Sequence, residues 1–255
     1  MLRLQPLPAF QDNYIWTLSD TDGRALIVDP GDAGPVLAAA EDGLRPVAIL
    51  LTHHHPDHAG GVAELRQRFD IPCYAPDDER ISGASERVGE GDQVTITPLD
   101  LEFNVIALPG HTLTHIAFHD RRHLFCGDTL FSMGCGRMFE GSAKQMLHSL
   151  DRLAALPDDL LVCCGHEYTL ANGRFAQVAE PENPERDQRI QEAAQQRADG
   201  RPSLPSTMAS ERACNPFLRV DQPGVRKTLQ EQGADTSDRE SSFAALRAWK
   251  DGFRG

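Results

Sequence analysis

Four imidazoles and a carboxylate fall within the segment His53-His54-His55-Pro56-Asp57-His58. The apolar run Val47-Ala48-Ile49-Leu50-Leu51 precedes it and is short enough for a buried strand. After it, Val62, Leu65 and Phe69 share one face at helical spacing. The polar cluster therefore lies where a buried strand ends and a helix begins, the place where open α/β folds bind ligands. Burying several imidazoles beside a carboxylate is costly unless something coordinates them. A divalent metal answers that cost, because His nitrogen and Asp oxygen both suit zinc. Alternate side chains of an extended segment point the same way, so His53 and His55 can reach one ion while His54 faces elsewhere. Asp57 and His58 follow a turn at Pro56 and offer a second pair of donors.

The remaining elements have to bring further donors to this segment. Asn13 to Leu18 and Arg24 to Asp29 read as strands joined by a turn at Asp20-Thr21-Asp22-Gly23. Asp29, at a strand end, reads first as an ordinary turn carboxylate and second as a partner that orients a metal-binding group. Pro35 to Glu41 reads as a helix. From Ile71 the pattern is strand after strand: Ile71 to Ala75, Gln93 to Ile96, Leu101 to Ala107, Ile116 to His119 and His123 to Cys126. His119 and His123 flank a hairpin turn and are expected to face solvent, while His115 is a candidate neighbour of the metal site. Ser142 to Leu156 reads as an amphipathic helix capped by Ser142, with Met146, Leu150 and Leu153 inward. Leu160 to Cys164 is one more buried strand. Helical, polar-faced segments follow at Ala171 to Ala179, Asn183 to Ala198 and Ser241 to Asp251, with Phe217 to Val220 the only strand-like stretch. The order predicts two sheets packed face to face with helices outside over residues 1–170, and a small helical domain over 171–255.

The chain has 255 residues, 40% hydrophobic and 25% charged, as in ordinary globular proteins. A formal net charge of −13 argues against broad binding to nucleic acid or anionic membrane, though not against a local basic pocket. The N-terminal residues lack the apolar run of a signal peptide, and no stretch approaches the ~18 apolar residues of a membrane span. The six cysteines form no C-x-x-C pair, and cysteines kept as thiols fit a reducing compartment. The expectation is a cytoplasmic monomer.

Thr52, His53, His55, Asp57 and His58 match T-H-x-H-x-D-H, and on these residues the chain resembles the metallo-β-lactamase-fold hydrolases. The resemblance implies a four-layered αβ/βα sandwich. Three more donors follow strands, each directly after a glycine: His111 after Gly110, Asp128 after Gly127 and His166 after Gly165. They complete two shells, His53, His55 and His111 for one ion, Asp57, His58 and His166 for the other, with Asp128 between them. Two ions ~3.5–4 Å apart can lower the pKa of a shared water and yield a nucleophile at neutral pH. Asp57 and Asp128 are accordingly the candidate catalytic carboxylates. Zinc is the default metal, and iron or manganese can take His/Asp sites too.

Further segments narrow the substrate. Gly134 to Gly141, Cys164 to Thr169, Asn215 to Arg219 and Leu246 to Asp251, with Asn13-Tyr14 near the start, together resemble the hydroxyacylglutathione hydrolases (glyoxalase II). That resemblance implies hydrolysis of S-D-lactoylglutathione to glutathione and D-lactate, the second step of methylglyoxal detoxification. It places glutathione against Arg137, Phe139, Tyr168, Arg247 and Lys250, whose cations suit the tripeptide's carboxylates. Met138-Phe139 stands where some members carry Phe-Tyr, which removes a hydroxyl contact. Read without the resemblance, Arg247 and Lys250 are equally the positive charges that a helix C-terminus favours. The rival enzymes on this fold are a one-iron persulfide dioxygenase and a lactonase. A non-catalytic metal-binding scaffold would be expected to have lost a donor, and none of the seven is missing.

Overall fold

The computed structural model describes residues 2–254. The chain divides into two units: one runs to Ala107 and resumes over Thr114–Gly127, and the other comprises Leu108–Leu113 and the chain from Asp128 onward.

The first unit is built from strands with apolar residues on both faces. Its main sheet takes the order β1 (Arg3–Ala9), β2 (Asn13–Ser19), β3 (Arg24–Val28), β4 (Arg45–Leu50), β5 (Cys73–Pro76), β6 (Glu86–Val88). The first three strands pair antiparallel and the rest parallel. Parallel neighbours need crossovers, supplied by α1 (Gly34–Glu41) between β3 and β4, and by α2 (Pro56–Ala59) and α3 (Val62–Phe69) between β4 and β5. Ile15 and Ile27 share a buried cluster with Val36 of α1 and with Val62 and Leu65 of α3. Trp16, Leu18, Leu26 and Val28 point the other way along the same strands and are equally buried, so the sheet is covered on both faces. The same unit carries an antiparallel meander of β7 (Gln93–Ile96), β8 (Leu101–Ala107), β9 (Ile116–His119) and β10 (His123–Gly127). Phe103, Phe118 and Phe125 fill its buried face.

The second unit begins with a short hairpin, β11 (Leu130–Phe131) and β12 (Gly134–Cys135). Helix α4 (Ala143–Ala154) follows, its start fixed by a capping box in which the Ser142 hydroxyl accepts from Gln145 N and the Gln145 side chain accepts from Ser142 N. Met146, Leu150 and Leu153 are buried along its inner face, as the periodicity predicts. Strand β13 (Leu161–Cys164) precedes α5 (Thr169–Ala179) and α6 (Pro184–Ala198), and pairs antiparallel with β14 (Ser206–Thr207). The chain ends in α7 (Met208–Cys214), α8 (Pro223–Glu231) and α9 (Arg239–Gly252). The strand-like stretch Phe217 to Val220 is a turn rather than a strand. The amides of Leu218 and Arg219 donate back to the carbonyls of Asn215 and Pro216, which lets Phe217 and Val220 both bury their side chains. Phe217 packs against Phe175 of α5 and Phe243 of α9, at ring separations of 6.0 and 5.9 Å. Among the described residues no helix is long and apolar enough to cross a membrane.

Side chains from the helices hold the β11–β12 hairpin. The Asn215 amide donates to the carbonyls of Phe131 and Gly134, at 3.0 and 2.9 Å. Asn172 donates to the carbonyl of Ser132, and Glu211 accepts from the amide of Met133. Met133 adopts φ 56°, a backbone region that a non-glycine residue occupies only when its surroundings enforce it. Asn215→Ala removes the partner of two buried carbonyls and should destabilise the protein by about 2–4 kcal/mol. Chemical denaturation followed by circular dichroism measures this. A loss below about 1 kcal/mol would show that the hairpin does not depend on Asn215.

Candidate metal centre

In the first unit the donors follow β4 directly. Residues 51–55 belong to neither helix nor strand; backbone bonds hold Leu51 N on the Tyr74 carbonyl, the Thr52 carbonyl on Ile116 N and the His55 carbonyl under the amides of His58 and Ala59, and side chains set the rest. Asp29, at the end of β3, takes three hydrogen bonds. Its Oδ1 accepts from Thr52 N at 2.8 Å, and its Oδ2 accepts from Thr52 Oγ1 at 2.7 Å and from His58 Nδ1 at 3.1 Å. The Thr52 hydroxyl has one proton and gives it to Asp29, so it accepts from His53 Nδ1 at 3.0 Å. His53 and His58 therefore carry their protons on Nδ1 and present the Nε2 lone pair, as metal ligands require. His53 Nε2 and His55 Nδ1 lie 3.1 Å apart, and His58 Nε2 lies 3.6 Å from Asp57 Oδ2. Asn13 fixes that carboxylate, donating to Asp57 Oδ2 at 3.0 Å and to its backbone carbonyl at 3.2 Å. His115, fully buried, stacks on the His53 ring at 4.8 Å.

Two glycines permit this crowding. A Cβ on Gly31 would meet the Asp57 carbonyl oxygen at 1.8 Å. Gly127 has φ 47°, and a Cβ there would meet Thr52 Oγ1 at 2.3 Å.

In the second unit Asp128 is the focus. Its Oδ2 lies 3.6 Å from His111 Nε2 and 3.3 Å from His166 Nε2. A carbonyl can only accept, so the 2.8 Å contact between His111 Nδ1 and the Arg137 carbonyl puts the proton on Nδ1 and turns Nε2 toward Asp128. All three side chains are more than nine-tenths buried. One carboxylate oxygen here faces two imidazole nitrogens, and the donor chemistry of both groups suits divalent ions.

His111 and Asp128 also line a cleft of about 370 Å³ in this unit, together with Phe131, Cys135, Arg137, Phe139, Tyr168, Ala171, Asn172, Arg247 and Lys250. Phe139 is 62% exposed and packs edge-on against His111, while Tyr168 stacks on His166 at 4.7 Å and 5°. Arg247 is 5% exposed. It donates to the Cys135 carbonyl and to Asp251, and lies over the Phe217 ring. Lys250 sits over the rings of Phe175 and Phe253. Burial first, then its neighbours Arg247 and Arg174, push the Lys250 ammonium down to about 8. Both cations line the cleft.

Three positions differ from the sequence expectation. Asp29 is a buried hub rather than an ordinary turn carboxylate, because φ 51° at the strand end turns its side chain inward. His123 is buried rather than solvent-facing: Asp120 accepts from its ring at 2.9 Å, and the ring stacks on Phe125. Asn13, noted only for its place in a motif, orients Asp57. No pattern marked that role, since the two residues are 44 positions apart.

Known proteins resemble this chain over nearly its whole length. The metallo-beta-lactamase superfamily matches residues 13–166, and the hydroxyacylglutathione hydrolase C-terminus matches residues 167–253. The hydroxyacylglutathione hydrolase of Xanthomonas axonopodis pv. citri is 56% identical over 99% of this chain and 100% of its own length. That of Chromohalobacter salexigens is 54% identical with the same coverage. Among solved structures, ETHE1 from Myxococcus xanthus superposes with a TM-score of 0.66 at 26% identity, over 96% of this chain and 89% of its own. The BLEG-1 B3 metallo-beta-lactamase superposes with a TM-score of 0.63 at 27% identity, over 86% and 99%. The chain has the metallo-β-lactamase fold, with mixed sheets flanked by helices and a helical C-terminal region, and it belongs to the hydroxyacylglutathione hydrolase family.

Proposed function

We propose that this chain hydrolyses S-D-lactoylglutathione to glutathione and D-lactate, using two divalent metal ions. The observation that carries this reading is Asp128, whose carboxylate faces two imidazoles and lines the same cleft as Arg137 and Lys250. We assign His53, His55 and His111 to one ion, Asp57, His58 and His166 to the other, and Asp128 to both. Bound there, the ions would lower the pKa of a water to supply the nucleophile and would polarise the thioester carbonyl. Zinc fits this donor set best, with iron or manganese as the alternatives.

The chain's own residues do the rest. Asp29, the Thr52 hydroxyl and the Arg137 carbonyl hold the ligand imidazoles in the tautomer that presents Nε2. Asn13 keeps Asp57 aimed. Arg137 and Lys250 meet the glutathione carboxylates, with Phe139 and Tyr168 against the tripeptide and Arg247 shaping the wall between them. In this division of labour residues 1–170 form the metal-binding domain and also bring Arg137, Phe139 and Tyr168 to the substrate, while residues 171–255 form the helical substrate-binding domain with Arg247 and Lys250. No disulfide joins the six buried cysteines, which suits a reducing cytoplasm. We take the chain to act as a monomer.

The direct test is hydrolysis of a glutathione thioester by metal-analysed protein, with a lactone and a β-lactam as competing substrates. Turnover confined to the thioester, at about two metal ions per chain, is the expected result. One iron per chain with persulfide dioxygenase activity would replace this reading. Asp128→Ala should lower occupancy of both ions and nearly abolish turnover, whereas His119→Ala should do neither. Equal effects from the two would overturn the ligand assignment.

Binding should separate from chemistry. A lost charge-assisted hydrogen bond costs about 1.5–3 kcal/mol, so Lys250→Ala and Arg137→Ala should raise KM roughly ten- to a hundredfold, with kcat changed much less. A small thioester without the tripeptide should barely register the change. Arg247→Ala should also raise KM, and its buried contacts with Cys135 add a loss of stability. The Lys250 ammonium, lowered to about 8, binds an anion only while protonated. KM should therefore stay level below about pH 7 and climb above pH 8, and Lys250→Arg should flatten that climb. An unchanged slope in Lys250→Arg would mean that Lys250 does not carry the contact.

A further inference from the structure

The segment between β4 and α2 has two sets of side chains. His53 and His55, at odd positions, are the donors assigned above, and Thr52 and His54 lie at the even positions between and before them. Thr52 is held by Asp29. His54 lies beside a carboxylate: its Nδ1 is 3.4 Å from Asp78 Oδ2, an ion-pair distance rather than a hydrogen bond, with the ring 12% exposed. Asp78 follows β5 and is 5% exposed. Its Oδ1 accepts from the Arg80 amide at 3.0 Å and from Arg80 Nε at 2.8 Å. Its Oδ2 accepts from Arg80 Nη2 at 2.7 Å and from the Thr114 hydroxyl at 2.6 Å. The hydrogen bonds from Arg80 hold Asp78 well below the usual carboxylate range. A buried charge so fully paired is a rigid post.

The His54 ring also meets the two neighbouring imidazoles. It lies edge-on to His55 at 4.7 Å and 65°, and to His53 at 6.4 Å and 84°. Backbone bonds anchor the segment at Leu51, at the Thr52 carbonyl and at the His55 carbonyl, which accepts from the amides of His58 and Ala59; the packed His54 ring adds a side-chain support between those anchors. We propose that Asp78 is a positioning residue of the metal segment, fixing the His53–His55 donor pair through the ring of His54. The segment is thus held by its even side chains, on Asp29 at one point and Asp78 at the next, and its odd side chains are left to coordinate. This inference rests on the metal reading given above.

The test measures how fast metal leaves folded protein. Zinc-loaded wild type, Asp78→Asn, His54→Phe and the double variant are mixed with a chromophoric chelator in a stopped-flow instrument. Each single substitution should accelerate zinc loss by about tenfold, the usual size of a lost supporting contact. The double variant should release zinc no faster than the faster single, because both act along one link. A purely structural Asp78 would lower the melting temperature and leave the release rate unchanged, which would overturn the proposal. Rates that multiply in the double variant would overturn it as well. Should Asp78→Asn fail to fold, Arg80→Gln changes a half-exposed side chain on the same post and should speed release about three- to tenfold; wild-type release there overturns the link. Wild-type protein that carries no metal at all would instead sink the metal reading itself.

Discussion

The Asp29 carboxylate ties the metal segment to the sheet, and much of the first unit's local geometry follows from that tie. A segment without helix or strand, buried at Thr52, His53 and His58, has to find partners for its polar groups or lose several kcal/mol. Asp29 meets that demand at one point, taking the Thr52 amide, the Thr52 hydroxyl and the His58 ring together. To do so it accepts a backbone region with positive φ, which Asp tolerates better than most residues. The glycines at 31 and 127 are consequences of the same crowding. Where a carboxylate, a hydroxyl and two rings converge, the neighbouring backbones approach too closely for any Cβ.

The cleft of the second unit obeys a different constraint. Lys250 is packed against aromatic rings and sits among arginines, an arrangement that costs the chain something while nothing anionic is bound. Desolvation and like charges both favour the neutral amine. A carboxylate bound there, as proposed above, would offset the like-charge repulsion and favour the ammonium. The chain as a whole is strongly acidic, with a net charge of −13, and its long-range field would not draw an anionic substrate. For the proposed substrate, attraction would then be local and short-ranged, which suits a small anionic tripeptide better than a polyanion.

What the sequence revealed and what it concealed divide along a physical line. The candidate donors His53, His55, Asp57 and His58 stand out in the sequence because all four share one segment, where strand alternation and a Pro-initiated turn decide which side chains can converge. His111 and His166 were legible less directly, each as a strand-end donor after glycine. The groups that orient these donors were opaque. Asn13 reaches Asp57 across 44 positions, and Asp29 reaches Thr52 across 23; both contacts exist only once β2, β3 and β4 lie side by side. The α4 helix and its Ser142 cap were read correctly because capping is local. Phe217 to Val220 was not, since a buried turn and a short strand both appear as an apolar tetrapeptide. His123 sat beside polar turn residues and looked exposed, yet Asp120 in that same turn gives its ring the partner that makes burial tolerable.

The donor imidazoles carry a last implication about order of events. A histidine approaching a metal has to place its proton on the nitrogen that does not coordinate. In a flexible chain that choice, and the ring rotation with it, is made only on binding. Here His53, His58 and His111 each have an oxygen acceptor at Nδ1, from a hydroxyl, a carboxylate and a backbone carbonyl respectively. None of these acceptors is itself a ligand in the assignment above. Tautomer and ring orientation are therefore fixed by protein contacts alone, so the entropy of ordering the rings is met during folding rather than at metal capture. The same fixed protons strengthen the lone pairs opposite them, because an imidazole that donates to a carboxylate or carbonyl is a better base at its other nitrogen. Folding and ligand basicity thus rest on one set of hydrogen bonds, and weakening those bonds would loosen the metal even where every ligand remained in the sequence.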